Sequence, residues 1–302
     1  MTTRERACHN GRVTRHWPLA LALVLACGHA AFAQVPAGST RPPSAPQPAV
    51  TSSADADLIN PDRPGLADGS AVVGRATFQL ETGFQQEFRK ADGRSESTRL
   101  VPSLVRLGIT DRLEFRLEGN TYTRVEDTTS GVAANHVSGF APVSFGAKVQ
   151  FQDGDGPSQP SLGAIVRVFP ASGSDGFNTT RTTGDLRLAA DWDISPAVSL
   201  NPNVGIASYE DENGTRFTTG LLALTLTVFN EAKTLSPFID IGIQTSEGAG
   251  QGAAALVDAG VGYIIGRNVQ LDISGGIGPH GATPPHAFFA VGLSIRFRAS
   301  GS

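Results

Sequence analysis

The chain has 302 residues, a formal charge of −4, 35 Gly, one Met and two Cys, with mean hydropathy near zero. No run of 18 or more apolar residues occurs, which excludes a helical membrane span, and the acidic balance argues against nucleic acid as a partner. Both cysteines, Cys8 and Cys27, lie in the N-terminal leader, so the rest of the chain has neither disulfides nor thiolate metal sites to draw on.

Residues 1–33 read as a secretory signal peptide. Arg4, Arg6, Arg12 and Arg15 precede a short apolar core at Leu19–Cys27, and Ala31-Phe32-Ala33 is a small-x-small cleavage site. Lipidation at Cys27 is the rival route; the bulky Leu25 disfavours it. Residues 34–57 hold Pro36, Pro42, Pro43, Pro46 and Pro48 among Ser, Thr and Ala, too little apolar content for a core, and are expected to be a Pro-rich linker. Residues 58–302 form the third region, and its pattern is that of a barrel.

From Arg75 onward apolar and polar residues alternate with period two, the signature of half-buried strands. In Arg75–Phe88 the apolar positions include Phe78, Leu80, Phe84 and Phe88, and Glu81 sits on the opposite parity. Thr98–Ile109 has a blurred face. Leu113, Phe115 and Leu117 oppose Glu114, Arg116 and Glu118; Phe145, Ala147 and Val149 oppose Gly146, Lys148 and Gln150. Leu162–Phe169 is mixed. Strands follow over 185–194, 198–206, 217–229, 239–243, 257–263 and 269–277. The last is Ala287–Phe297, whose Phe289, Val291, Leu293, Ile295 and Phe297 share one face. Twelve strands result.

The same alternation serves a soluble barrel or a transmembrane one. Three features favour the membrane: the export signal, strands mostly of nine to fourteen residues against the ~5–6 of soluble sheets, and links alternating between short (110–112, 195–197) and long (122–136, 171–183, 207–216). Gly292, Ile295 and Phe297 match the spacing of the closing-strand signal read by the barrel-assembly machinery, with Arg298–Ser302 extending past it. Tyr and Trp are few, so an aromatic girdle has to come from Phe88, Phe151, Phe169, Phe217, Phe229 and Phe297.

Asp62-Arg63-Pro64-Gly65, Leu80-Glu81-Thr82-Gly83 and the run Arg106 to Glu114 (RLGITDRLE) resemble the outer-membrane transporter family named after the meta-pathway (MetA-pathway) of phenol degradation. Phe145-Gly146-Ala147-Lys148, Val168 to Ser174, Asn203-Val204-Gly205, Ser236-Pro237-Phe238, Asp258-Ala259-Gly260 and Leu271-Asp272 continue the match across about 58–297. Ala141-Pro142 stands where the family has Gly-Asp, and Asp240 where it often has Glu. The resemblance implies an all-β antiparallel transmembrane barrel of about 12 strands in the Gram-negative outer membrane, carrying small, hydrophobic or aromatic solutes. The partners expected are outer-membrane lipid, the assembly machinery and the solute.

Membrane sidedness puts the charged parity in the lumen. The pore-lining candidates are Glu81, Glu114, Arg116, Glu118, Lys148, Arg167, Asp185, Arg187, Asp191, Asp240, Asp258, Asp272 and Arg296. They either line an open pore or neutralise one another and fill the barrel, and pattern alone leaves both open. Asp62 and Arg63, just ahead of the first strand, are placed to constrict the lumen. His280 and His286 lie in a Pro/Gly-rich link with no third ligand nearby, so no metal and no cofactor is expected. No G-x-S-x-G elbow is present, and the chain reads as a non-enzyme. The competing readings are a non-conducting structural or surface-interaction barrel and, third, an outer-membrane lipid hydrolase.

Overall fold

The computed structural model describes residues 58–91, 94–129, 135–211 and 213–298. The signal peptide and Pro-rich linker lie outside the described residues. The strands are β1 (Thr77–Ala91), β2 (Arg94–Gly108), β3 (Leu113–Thr129), β4 (Asn135–Gly139), β5 (Ser144–Gln152), β6 (Ser161–Phe169) and β7 (Thr183–Ser195). β8 (Val198–Glu210), β9 (Arg216–Val228), β10 (Leu235–Gln244), β11 (Ala254–Ile265), β12 (Val269–His280) and β13 (Ala287–Arg298) complete the set.

Every barrel strand pairs antiparallel with its neighbours, and β13 closes on β1 from Thr77↔Arg298 to Phe88↔Ala287. Closure leaves no open edge between the first and last strands of the twelve-stranded wall, so its backbone can be satisfied without water where it meets lipid. Twelve strands make the wall. The thirteenth, β4, continues the line of β5 along β3, which pairs 123–127 with β4 and 113–118 with β5; no ladder joins β4 to another strand.

β4 and the length of β3 correct the expected long loop at 122–136, just as β8 running to Glu210 shortens the one at 207–216. The reason is physical. Beyond the hydrocarbon both faces of a strand are wet, so Thr121–Thr129 shows no apolar alternation. It is held instead by the β2 ladder and by ion pairs such as Arg99–Glu126 at 3.5 Å.

The burial pattern is inverted relative to a soluble protein. Leu188 (51% exposed), Ile206 (55%), Ile239 (59%) and Phe297 (55%) face outward, whereas Glu81, Glu114 and Lys148 are wholly buried inside. Outward rings touch across strands, Phe78 on Phe297 at 5.9 Å and Phe84 on Phe289 at 6.3 Å. Three residues expected in that girdle point inward. Phe169 shares the parity of Arg167, Phe217 that of Thr219, and both line the lumen with Tyr209 between them; Phe229 lines the cavity at the barrel's other end.

The connections at one end are tight: 109–112, 153–160, 196–197, 229–234 and 266–268. At the other end the β1–β2 connection is short, but those over 140–143 with β4, 170–182, 245–253 and 281–286 make up most of the rim.

Candidate functional site: a lumen crossed by the segment before the first strand

Residues 58–76 enter the barrel at the short-connection end and cross the lumen before β1 begins. The segment has no regular structure, so its backbone amides need acceptors. The wall supplies them. Asp62 N and Arg63 N both donate to Glu81 Oε2 at 3.0 Å, and Leu66 N donates to Asp240 Oδ2 at 2.7 Å. Asp68 N donates to Asn203 Oδ1 at 2.8 Å, Ser70 N to Asp191 Oδ2 at 2.8 Å and Val73 N to Glu114 Oε2 at 2.9 Å. Five strands thus hold the segment by carboxylate or amide side chains.

Side chains add a second grip. The Asp62 carboxylate meets Lys148 Nζ at 2.8 Å, Arg116 Nη1 in a short contact, and Arg106 Nη1 at 3.6 Å. Asp68 takes Arg116 Nη2 at 3.1 Å and Arg187 Nη1 at 3.3 Å. Arg63 runs the other way, to Asp272 Oδ1 at 3.2 Å. It passes Gly83, where a Cβ would lie 2.8 Å from Arg63 Nη2 and 2.4 Å from the Val291 carbonyl oxygen. Any larger residue there would push the segment or β13.

Arg106 joins the two grips. It donates from Nε to Glu114 Oε1 at 2.9 Å and from Nη2 to Glu114 Oε2 at 3.0 Å, the bidentate arrangement that makes Arg–carboxylate pairs strong. Nη1 reaches Glu81 Oε1 at 3.2 Å and the Asn60 carbonyl at 3.1 Å, and Nη2 reaches the Ala71 carbonyl at 2.9 Å. A guanidinium carrying this many bonds at 1% exposure is a structural rivet.

All the expected pore-lining residues project inward, but into different groups. Glu81, Glu114, Arg116 and Lys148 surround Asp62. Arg167, Asp185, Glu118 and Arg187 form a second cluster nearer the long-connection end, with Arg167 paired to Asp185 (2.8 Å) and Glu118 (3.0 Å). Asp191 and Asp240 bind the segment's amides, and Asp272 binds Arg63. Arg296 donates to the Leu58 carbonyl at 3.0 Å. Asp258 lies directly opposite Asp240 on the next strand, and its buried Oδ1 has no hydrogen-bond partner among the described residues.

Sequence reasoning missed Arg106, Asp68, Ser70 and Asn203. Arg106 sits on the blurred strand, where the inward face also carries buried Leu100 and Leu104 and alternation fails. Ser70 and Asn203 contribute through a hydroxyl, a backbone donor and an amide group, which a search for charge passes over; Asp68 pairs with Arg116 and Arg187 but lies ahead of the first strand, where no alternation marks a face.

The lumen holds three cavities in series. A vestibule of about 870 Å³ opens at the long-connection end, lined in part by Phe169, Tyr209, Phe217, Arg89 and Glu247. Phe169 and Pro142 also line a middle cavity of about 430 Å³. Asp62, Arg63 and Gly65 separate that cavity from a third, of about 340 Å³, at the short-connection end. Among the described residues no group of three or more His, Cys, Asp or Glu side chains could hold a metal ion.

An all-β wall with an apolar exterior, a charged interior and no free edge is the architecture of outer-membrane β-barrels. Solved structures of that class resemble it. An outer membrane channel from Pseudomonas putida F1 superposes with a TM-score of 0.59 at 13% identity, over 76% of this chain and 98% of the channel. The β-domain of the Bordetella autotransporter BrkA gives 0.48 at 15% identity, over 73% and 99%, and an anion-selective porin from Comamonas acidovorans 0.38 at 10%, over 73% and 98%. No curated protein matches the chain. Residues 61–297 match the model of the family described as "Putative MetA-pathway of phenol degradation", and the chain belongs to that family.

Proposed function

We propose that the protein is a bacterial outer-membrane channel for small solutes, hydrophobic or aromatic ones among them, with residues 58–76 as a plug. The observation that carries this reading is the series of cavities along the barrel, with Asp62, Arg63 and Gly65 standing between the middle one and the one at the short-connection end. The long connections face outward and the tight turns face the periplasm, so the plug enters from the periplasmic side. Passage needs no catalytic step; selectivity comes from constriction and lumen charge. The rings of Phe169, Tyr209 and Phe217, packed edge-on at 6.1 and 6.3 Å, offer the vestibule an aromatic wall. On this reading 1–33 is removed on export, and β13 carries the recognition signal for barrel assembly.

Purified protein in planar bilayers should give discrete conductance steps, changed in size by Glu114→Gln or Arg116→Gln. The density of ion pairs between plug and wall also favours a second reading, a closed structural barrel whose outer connections contact a partner. Correctly folded protein that never conducts, with the plug intact or removed, would select that second reading.

A further inference from the structure

Among the described residues, several outer connections are tied to their neighbours. Thr180 N and Arg181 N donate to the Glu210 carboxylate at 3.0 and 2.9 Å, and Ala249 N to Asp211 Oδ2 at 3.3 Å. Ala282 N and Thr283 N each donate to Glu247 Oε2 at 2.8 Å. On the far side of the rim Ser174 N donates to the Phe140 carbonyl at 3.0 Å.

The link between the 281–286 connection and β1 is built differently. Lys90 N donates to His286 Nδ1 at 2.9 Å, so the imidazole nitrogen is the acceptor. Arg89 Nη2 reaches the Thr283 carbonyl at 2.6 Å, and His286 N reaches the Phe88 carbonyl at 2.9 Å. Ala282, Thr283 and Arg89 line the vestibule, so this connection is one of its walls.

An imidazole that accepts at Nδ1 cannot do so once that nitrogen is protonated, and histidine changes charge in the range where other side chains do not. The charged groups around it are Arg89, Lys90 and Glu87 on β1, Glu96 on β2, Glu247 on the preceding outer connection and His280 at the end of β12. Glu87 and Glu96 are both taken by Arg89, at 3.4 and 2.8 Å. A protonated His286 therefore turns an N–H towards the Lys90 N–H and places a cation beside Arg89.

We propose that the 281–286 connection is an acid-released flap of the vestibule, latched to β1 by His286 and anchored to the neighbouring connection by Glu247. The anchor outlasts the latch on acidification. Burial works against the Glu247 carboxylate, but the hydrogen bonds from Thr283 and Ala282 hold it below the ordinary range. The flap's effect on passage rests on the channel reading; its release does not.

The test is amide hydrogen exchange on the full protein in detergent or lipid, corrected for the intrinsic pH dependence of exchange. In wild type, protection at Lys90 should fall on the order of tenfold once acid protonates the imidazole, the loss of one hydrogen bond with repulsion added. His286→Gln, whose Oε1 accepts and does not titrate, should keep its neutral-pH protection in acid. Glu247→Ala, which removes the acceptor, should expose Ala282 and Thr283 at neutral and acid pH alike while leaving Lys90 protected at neutral pH. Identical pH profiles for wild type and His286→Gln, or a Lys90 amide already unprotected at neutral pH, would overturn the proposal. A conductance that rises on acidification in wild type and not in His286→Gln would extend it to gating. Exchange behaving as expected in a protein that never conducts would leave the flap standing and remove the channel.

Discussion

Asp62→Ala should unseat the plug without unfolding the barrel. In the native structure Asp62, Glu81 and Glu114 face Arg106, Arg116 and Lys148, and all six side chains are buried. Removing Asp62 leaves one uncompensated buried cation. Lys148 keeps only Glu114 at 3.9 Å and the Ala71 carbonyl at 3.4 Å. Breaking a buried pair in this way costs about 3–5 kcal/mol, which shifts the ratio of docked to undocked plug by roughly 10²–10⁴ at 1.36 kcal/mol per decade. The β1–β13 and neighbouring ladders do not involve Asp62, so the wall should persist. Single-channel recording should show larger or more frequent open steps than wild type, in protein that still migrates as a folded barrel before boiling. Unchanged conductance in folded Asp62→Ala protein would refute the claim that this cluster holds the lumen shut.

Other perturbations probe the wall, the turn ahead of β1 and the rim. Leu188→Arg places a charge on the outward face near mid-strand, and unfolding from lipid vesicles should show a loss of about 2–4 kcal/mol; an unaffected protein would mean that this face meets water. Gly108→Ala puts a Cβ 1.6 Å from the Gly74 carbonyl oxygen. The 74–76 turn must then move and strain the Ala76 N to Gly108 O bond (3.0 Å), for a destabilisation of about 1–3 kcal/mol visible as an earlier heat transition. At the rim, the Glu247 carboxyl is held low by hydrogen bonds, so its contribution is present at neutral pH and lost as pH falls through its folded value. Corrected for the intrinsic pH dependence, exchange at Ala282 and Thr283 should accelerate at acid pH in wild type and be fast at every pH in Glu247→Ala.

The strands were legible wherever one face meets lipid and the other does not. Ala287–Phe297 was read within one residue of β13 for that reason. Legibility failed at both margins of this rule. Above the hydrocarbon, the upper parts of β3 and β8 lose their apolar face and read as loop. On β2, Leu100 and Leu104 turn inward towards the lumen, and Arg106 disappears into the resulting blur. The position of Asp62 and Arg63 ahead of the first strand hinted at the lumen, but not at the means of attachment. That attachment runs largely through backbone amides of the segment, which carry no sequence signature, onto wall carboxylates that alternation places on the right face. Phe169 and Phe217 show the opposite error: an aromatic near a strand end was assigned to the lipid girdle when its parity pointed inward.

The most direct test of the account is where the exported chain resides and how it migrates. An apolar exterior around a buried charged lumen predicts fractionation with outer membranes and a shift in gel mobility between unboiled and boiled samples. A soluble periplasmic protein with no shift would contradict it, because the face carrying Leu188, Ile206 and Ile239 would then have to be covered by something other than lipid.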